Sequence, residues 1–494
     1  MVQTGVLPNT EQHGGQGRRG PAVRRGGART VVSWGAAPAL FVAGLLVSFV
    51  LRLLFVPAPS GEDRLVLWSS AIPHVEAYET VIGSFEREAG VRVEMQRMPF
   101  TAIDRRLRSA FWAGRGIPDL IEFPQEKLGV LLGTGLGAEA FVDLSERARE
   151  PGPAGVSISE DLVPTRRDLY RVDGRLIGIA HDLHPVMIAY RWRDFEAAGI
   201  DPESIRSWDD FERVGRALTR PTDTAEGGAR FMLSVDERTP IVFQSLLLQR
   251  GGNWFDENGR PALDDPLVVD TLVRYTRLAY GEGRIANTLA AFPSAGFFRA
   301  IESGYYLCFL CPDWLTRTIE ANLPSMSGEL RLMPMPAWSE GGRRTSTWGA
   351  TMLGISAACD EPDRAWNLVR FLYVDRSIAA EMFRETNIVS PFRSNWDLPV
   401  YDEPAPFWDG QAIGRRYLDL AEEVPEIRNG PAPQVVLEAI ADVLSACGAQ
   451  RARFGDEGLE AFARASLRDA QRDVESALAV LFADAARRTE EGVP

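Results

Sequence analysis

Residues 170–220 read YRVDGRLIGIAHDLHPVMIAYRWRDFEAAGIDPESIRSWDDFERVGRALTR. Asp173-Gly174 is a tight-hairpin dipeptide, and the apolar run Leu176-Ile177-Gly178-Ile179 after it reads as a strand. That strand meets a polar kink at His181-Asp182-Leu183-His184-Pro185 and resumes as Val186-Met187-Ile188-Ala189-Tyr190. A helix follows, then a turn at Gly199-Ile200-Asp201-Pro202, and a second helix opens at Ser207. The order strand, kink, strand, helix, turn, helix decides the architecture more than any single residue does.

On either side of this stretch, apolar strands alternate with helical spacing. Arg64-Leu65-Val66-Leu67-Trp68 reads as a strand, Ala77 to Glu88 as a helix, and Val91-Arg92-Val93-Glu94-Met95 as a strand. Ile103 to Phe111 has helical spacing, and Pro118 to Phe123 is a further strand. Such alternation predicts α/β bodies with mostly parallel sheets covered by helices on both faces. A chain of 494 residues is too long for one compact domain.

Formal charge separates the chain into unlike parts. Arg18, Arg19, Arg24, Arg25, Arg29 and Arg52 precede residue 62, against Glu11 alone, and the remainder carries 48 basic and 67 acidic residues, net −19. That balance argues against a nucleic-acid partner, whose phosphates need a basic face. Thr30 to Leu51 holds no charged residue and is rich in Val, Ala, Leu and Phe, and Leu53-Leu54-Phe55-Val56 completes the run. About 20 apolar residues span a bilayer. The arginines before the span place residues 1–29, which read as disordered, in the cytoplasm and the rest outside. An uncleaved anchor at 30–56 is expected, followed by a linker at 57–63. The competing reading is a cleaved signal peptide, whose apolar region is usually shorter. No cysteine lies near the span, which disfavours a lipoprotein.

Several motifs share one resemblance. Tyr190 to Pro202 with Ser207-Trp208-Asp209-Asp210-Phe211 keeps the frame of "YNKDLFKKAGLDPPKTWDEF", and Phe85-Glu86-Arg87-Glu88-Ala89-Gly90-Val91 that of "FEKETGIKVEV". Pro118-Asp119-Leu120 is similar to a "PDV" strand, and Gly304 with Pro312-Asp313-Trp314 to "GKAAM…GPW". The chain resembles bacterial extracellular solute-binding proteins of ABC importers, family 1, of the maltose and sugar-binding type, over roughly residues 64–480. The resemblance implies a two-lobed periplasmic-binding type II fold with discontinuous lobes, here preceded by one transmembrane helix. It implies lobe 1 at 64–180 and 305–355, and lobe 2 at 181–304 and 356–494. Crossings between lobes are expected near Ile179–Asp182, Leu307 and Ile355. The implied partners are a small solute, most readily a carbohydrate, and the membrane subunits of an ABC permease.

A sugar site needs aromatic faces and polar side chains. The resemblance places Trp314, Phe123 and Glu126 at cleft positions and His184 near one, with Asp182 two residues from His184 on the same strand face. Trp68 and Ser69 end the first strand, where open α/β sheets put ligands, and Trp348 precedes the last crossing. Trp68 and Trp348 read equally as core, and Glu126 as a solvated carboxylate at a helix start. The family's polar positions in the second lobe fall near Thr239 and Ile241, and Ile241 offers no hydrogen bond. His181 and His184 as H-x-x-H on a strand point to opposite sides, so neither a metal nor a cofactor is expected. Cys308 and Cys311, three apart in an apolar strand, read as buried hydrophobes on opposite faces. No G-x-S-x-G, H-E-x-x-H, P-loop or G-x-G-x-x-G occurs, which favours a non-catalytic binder. A ligand-sensing ectodomain and an extracellular glycan-processing enzyme are the alternatives.

Overall fold

Runs such as Leu65-Val66-Leu67-Trp68 and Tyr306 to Cys311 have no polar face, so only a sheet interior covered on both sides satisfies them. Both lie there. The computed structural model describes residues 63–129, 137–152, 155–222, 228–236, 239–288 and 292–490. Its twelve strands are β1 (Arg64–Ser69), β2 (Arg92–Arg97), β3 (Leu120–Pro124), β4 (Arg171–Val172), β5 (Arg175–Leu176), β6 (Ile179–Ala180), β7 (Val186–Arg191), β8 (Phe231–Ser234), β9 (Ala286–Asn287), β10 (Tyr306–Pro312), β11 (Leu330–Pro334) and β12 (Thr351–Ile355). One sheet has the order β2-β1-β3-β12-β6, the other β11-β7-β10-β8-β9, and β4 and β5 form a hairpin across Asp173-Gly174. Each large sheet mixes parallel and antiparallel pairs, rather than being mostly parallel: β1 is parallel to β2 and β3, while β12 runs antiparallel to β3 and β6.

Ten principal helices cover these sheets: α1 (Ile72–Ala89), α2 (Phe100–Ala113), α3 (Trp208–Leu218), α4 (Ile241–Gln249), α5 (Pro266–Ala279), α6 (Asp313–Asn322), α7 (Pro362–Tyr373), α8 (Arg376–Thr386), α9 (Pro433–Phe454) and α10 (Leu459–Glu490). Local chemistry sets their starts. Ser207 accepts from the Asp210 amide while the Asp210 carboxylate accepts from the Ser207 amide, a reciprocal cap that opens α3 at the expected place. Asp265 and Asp375 cap α5 and α8.

Strand alternation sorts the cores. Leu65 and Leu67 of β1 and Leu120 of β3 face α1, α7 and α8, whereas Trp68, Ile121 and Phe123 face α2 with Ile103 and Leu107. In the second sheet Cys308 and Leu310 face one side, with α3, α4, α5, α9 and α10. Phe309 and Cys311 face the other, with α6 and residues 400–424. The two cysteines thus occupy opposite faces, and all four cysteines are free and buried.

Three expected boundaries shift. Residues 305–355 are expected in lobe 1, but β10 and β11 pair with β7 inside the second sheet, and only β12 returns to the first. Residues 356–494 are expected in lobe 2, but α7 and α8 pack on α1 of lobe 1. Leu307 is therefore no crossing: all seven residues of β10 are buried at the centre of the second sheet. The passages lie at 181–185, at 345–350 just ahead of the expected Ile355, and after α8 at 387–391. The expected cytoplasmic segment 1–29, the anchor at 30–56 and all but the last residue of the linker lie outside the described residues. Among the described residues no helix is long and apolar enough to cross a membrane.

Candidate solute-binding site

A cavity of about 810 Å³ opens between the two sheets. Lobe 1 supplies the first turn of α1 (His74, Glu76), the turn after β3 (Gln125, Glu126, Lys127) and Thr351. Lobe 2 supplies Thr239 and Ile241, Gln244 on α4, Trp314, Arg317 and Thr318 on α6, and Gln434 and Glu438 on α9. The crossings supply His184, Thr347, Trp348 and Gly349.

One wall is aromatic. Trp314 and Trp348 meet edge to face with centroids 6.1 Å apart at 88°, and Phe292, which does not itself line the cavity, supports them at 5.1 Å from Trp348 and 6.1 Å from Trp314. The Trp314 indole N–H donates to the Trp348 carbonyl at 3.2 Å, which sets its tilt. Such a surface presents a flat apolar face beside amides, hydroxyls and charges, the mixture that holds a polyhydroxylated ring.

The floor is the pair of crossings, hydrogen-bonded side by side. Val186 donates to the Ser346 carbonyl at 3.2 Å and to the Thr345 hydroxyl at 3.1 Å, and His181 donates to the Thr351 carbonyl at 2.9 Å. Arg166, 1% exposed, fastens them. Its guanidinium donates to the carbonyls of Asp182 (3.2 Å) and Leu183 (2.6 Å) and to the Thr347 hydroxyl (2.7 Å). His184 adopts a left-handed backbone, φ 52°, rare for a non-glycine residue. Its ring sits between two carboxylates, Nδ1 2.7 Å from Asp313 and Nε2 3.0 Å from Asp182. Burial pushes its pKa down, but the two carboxylates prevail and hold it at about 10, so His184 is an imidazolium. Burial likewise opposes ionisation of Asp182, and His184 with His181 overcomes it, holding Asp182 well below the usual carboxylate range. Asp313 also accepts from the amides of Trp314 (2.7 Å) and Val389 (2.9 Å), so one carboxylate ties the first crossing to α6 and to the third passage.

Of the residues expected at the site, Glu126, His184, Trp314 and Trp348 line the cavity. Thr239 and Ile241, the positions noted on the second lobe, do so too. Asp182 is fully buried behind His184, where it also accepts from the Thr351 amide at 3.1 Å. Trp68 and Phe123 do not reach the cavity, because their place in the strand alternation turns them into the α2 core. Ser69 points the other way and donates to Glu122, a buried carboxylate that also accepts from Tyr78 and Tyr373. Burial opposes ionisation of Glu122, but His74, His181 and Ser69 bring its pKa to about 2. Sequence reasoning missed His74 and the α9 contribution. The signal for His74 was a bare count: the chain has four histidines, and three converge here.

The two-lobed α/β architecture with an interlobe cavity is that of a solute-binding protein. The family described as bacterial extracellular solute-binding protein matches residues 71–377, and the chain belongs to it. Among relatives, the chain is similar to the arabinooligosaccharide-binding protein of Halalkalibacterium halodurans, 25% identical over 373 residues, covering 74% of this chain and 80% of that protein. It is 23% identical over 296 residues to the arabinooligosaccharide-binding protein of Bacillus subtilis, covering 59% and 65%. The sugar-binding protein MalE of Xanthomonas citri shares the fold, with a TM-score of 0.66 at 20% identity over 84% of this chain and 97% of that one.

Proposed function

We propose that this protein captures an oligosaccharide outside the cytoplasm, in the cavity between its lobes, and delivers it to the permease of an ABC importer. The aromatic wall of Trp314 and Trp348 facing polar side chains from both lobes carries this reading. The cavity volume lies toward the upper end of the usual ~300–1,000 Å³ for small-molecule sites, which suits a solute of several rings. The oligosaccharide-binding relatives support import over sensing or glycan processing. The apolar run at 30–56 supports a membrane tether, and amino-terminal sequencing of the membrane fraction tests it: a mature chain beginning near Ser60 rules it out.

The test of the main reading is a thermal-shift panel of arabinooligosaccharides, maltodextrins, monosaccharides and polyols, with glycoside turnover measured in parallel. A solute bound only by the folded state raises the melting temperature. Trp314→Ala is expected to weaken binding of the positive solute by about 1–3 kcal/mol, the loss of one aromatic face, while the apo melting curve stays cooperative. No shift with any saccharide, or turnover of one, overturns the reading.

A further inference from the structure

Three of the four histidines of this chain meet at the root of the first crossing, and the hinge accounts for one of them, His184. The other two stand together. His74, from the first turn of α1, lies with its ring centroid 4.1 Å from that of His181, tilted by 39°. Donor atoms of His74, His181 and Asp182 all fall within 4.8 Å of one another, and all three residues are buried. The His181 Nδ1 lies 3.7 Å from Asp182 Oδ2, too far for a hydrogen bond, while that oxygen is paired with His184 Nε2 at 3.0 Å. A buried ring nitrogen without a hydrogen bond is costly unless something binds to it. His74 is oriented from behind: its Nδ1 lies 3.4 Å from Glu122, itself held by Ser69, Tyr78 and Tyr373. A hydrogen bond from Nδ1 to that carboxylate leaves the opposite ring nitrogen of a neutral imidazole with its lone pair. A carboxylate behind an imidazole is the usual support of a metal-binding histidine.

We propose that His74, His181 and Asp182 form a binding site for a divalent transition-metal ion of the zinc class, with Glu122 as the outer partner of His74. Two imidazoles and one carboxylate suit zinc, cobalt or nickel, and an all-oxygen set would be needed to favour calcium or magnesium. His74 also lines the cavity, so the proposed site adjoins the solute space. The ion joins α1 to the first residues of the crossing, so it stiffens the hinge at its lobe 1 end.

The test uses the full, untagged chain in detergent, stripped with a chelator and titrated with Zn²⁺ and Co²⁺, with Mg²⁺ and Ca²⁺ as controls. Calorimetry should give one Zn²⁺ per chain, accompanied by a rise in melting temperature, and Co²⁺ should give the intense visible bands of a low-coordinate site. His74→Gln, which keeps a donor toward Glu122, and His181→Ala should each weaken Zn²⁺ binding by about tenfold or more and abolish the Co²⁺ bands. Circular dichroism verifies folding of each variant, and if His181→Ala unfolds, His74→Gln alone decides. No saturable Zn²⁺ binding below about 100 µM overturns the proposal, on the scale where ~1 µM corresponds to about −8 kcal/mol. So does Zn²⁺ binding that folded His74→Gln retains in full, which places the ion elsewhere on the chain.

Discussion

Glu126 stands on the cavity wall, in the turn after β3, where burial raises its carboxyl above the ordinary range against the opposing pull of Lys127. An acid whose folded pKa is raised costs stability at every pH above that value, and the cost is absent below the unfolded pKa of about 4.3. Glu126→Gln should therefore raise the apo melting temperature at neutral pH, and the gain should shrink as pH falls through the raised value and vanish by about pH 4. An equal gain at both pH values would assign the effect to something other than ionisation. At this scale the site was half legible. Trp314 opens α6 directly after β10 and Glu126 lies in the turn directly after β3, and chain order alone carries such strand ends to the cleft. Trp68 and Phe123 failed because one step along a strand exchanges cleft-side for core-side, and nothing local to either residue says which face α2 covers. His74 was invisible because its neighbours come from β3, the first crossing and α7, all remote in sequence.

Among elements, the two crossings depend on Arg166. Removing its guanidinium strands the carbonyls of Asp182 and Leu183 and the Thr347 hydroxyl in a dry interior. Arg166→Met should cost about 3–5 kcal/mol in urea unfolding, the scale for breaking a buried charged network. Arg193→Met, which loses an exposed pair with Glu329 and an exposed cation–π contact with Trp192, should cost about 1 kcal/mol or less. A small change at Arg166 would show that the crossings hold without it. Element positions were readable from apolar runs and hairpin residues, as with Asp173-Gly174 and Ser207. Strand partners were not. The text of β10 is that of any doubly covered strand, and its assignment to the second sheet rests on pairing with β7 and β8, information that lives in the partner strands.

For the whole molecule, a solute touching both lobes favours the closed form by its differential affinity for that form. With the crossings at 181–185 and 345–350 paired side by side, they act as one flexible ribbon, and the passage at 387–391 is the second support. Small-angle scattering of residues 62–494 should show a smaller radius of gyration at saturating solute. An unchanged radius with binding verified by calorimetry would mean a preformed site. The two-lobed plan was legible in the order of segments from Phe85 to Trp314. The return of α7 and α8 to lobe 1 was not, because amphipathic helices advertise an apolar stripe and not its destination.

The tryptophan pairs have an optical consequence. Trp314 and Trp348 meet at right angles on the cavity wall. Trp208 and Trp338 stack with centroids 5.2 Å apart and 30° between planes inside lobe 2, with Arg250 and Arg274 over Trp338. Coupled indoles give signed near-ultraviolet dichroism that depends on their mutual angle. The protein therefore carries two chromophore pairs of unlike geometry, one in contact with the solute space and one sealed within a single lobe. The first acts as an intrinsic dial for occupancy, and the second as the internal standard against which it is read, without a dye or a label.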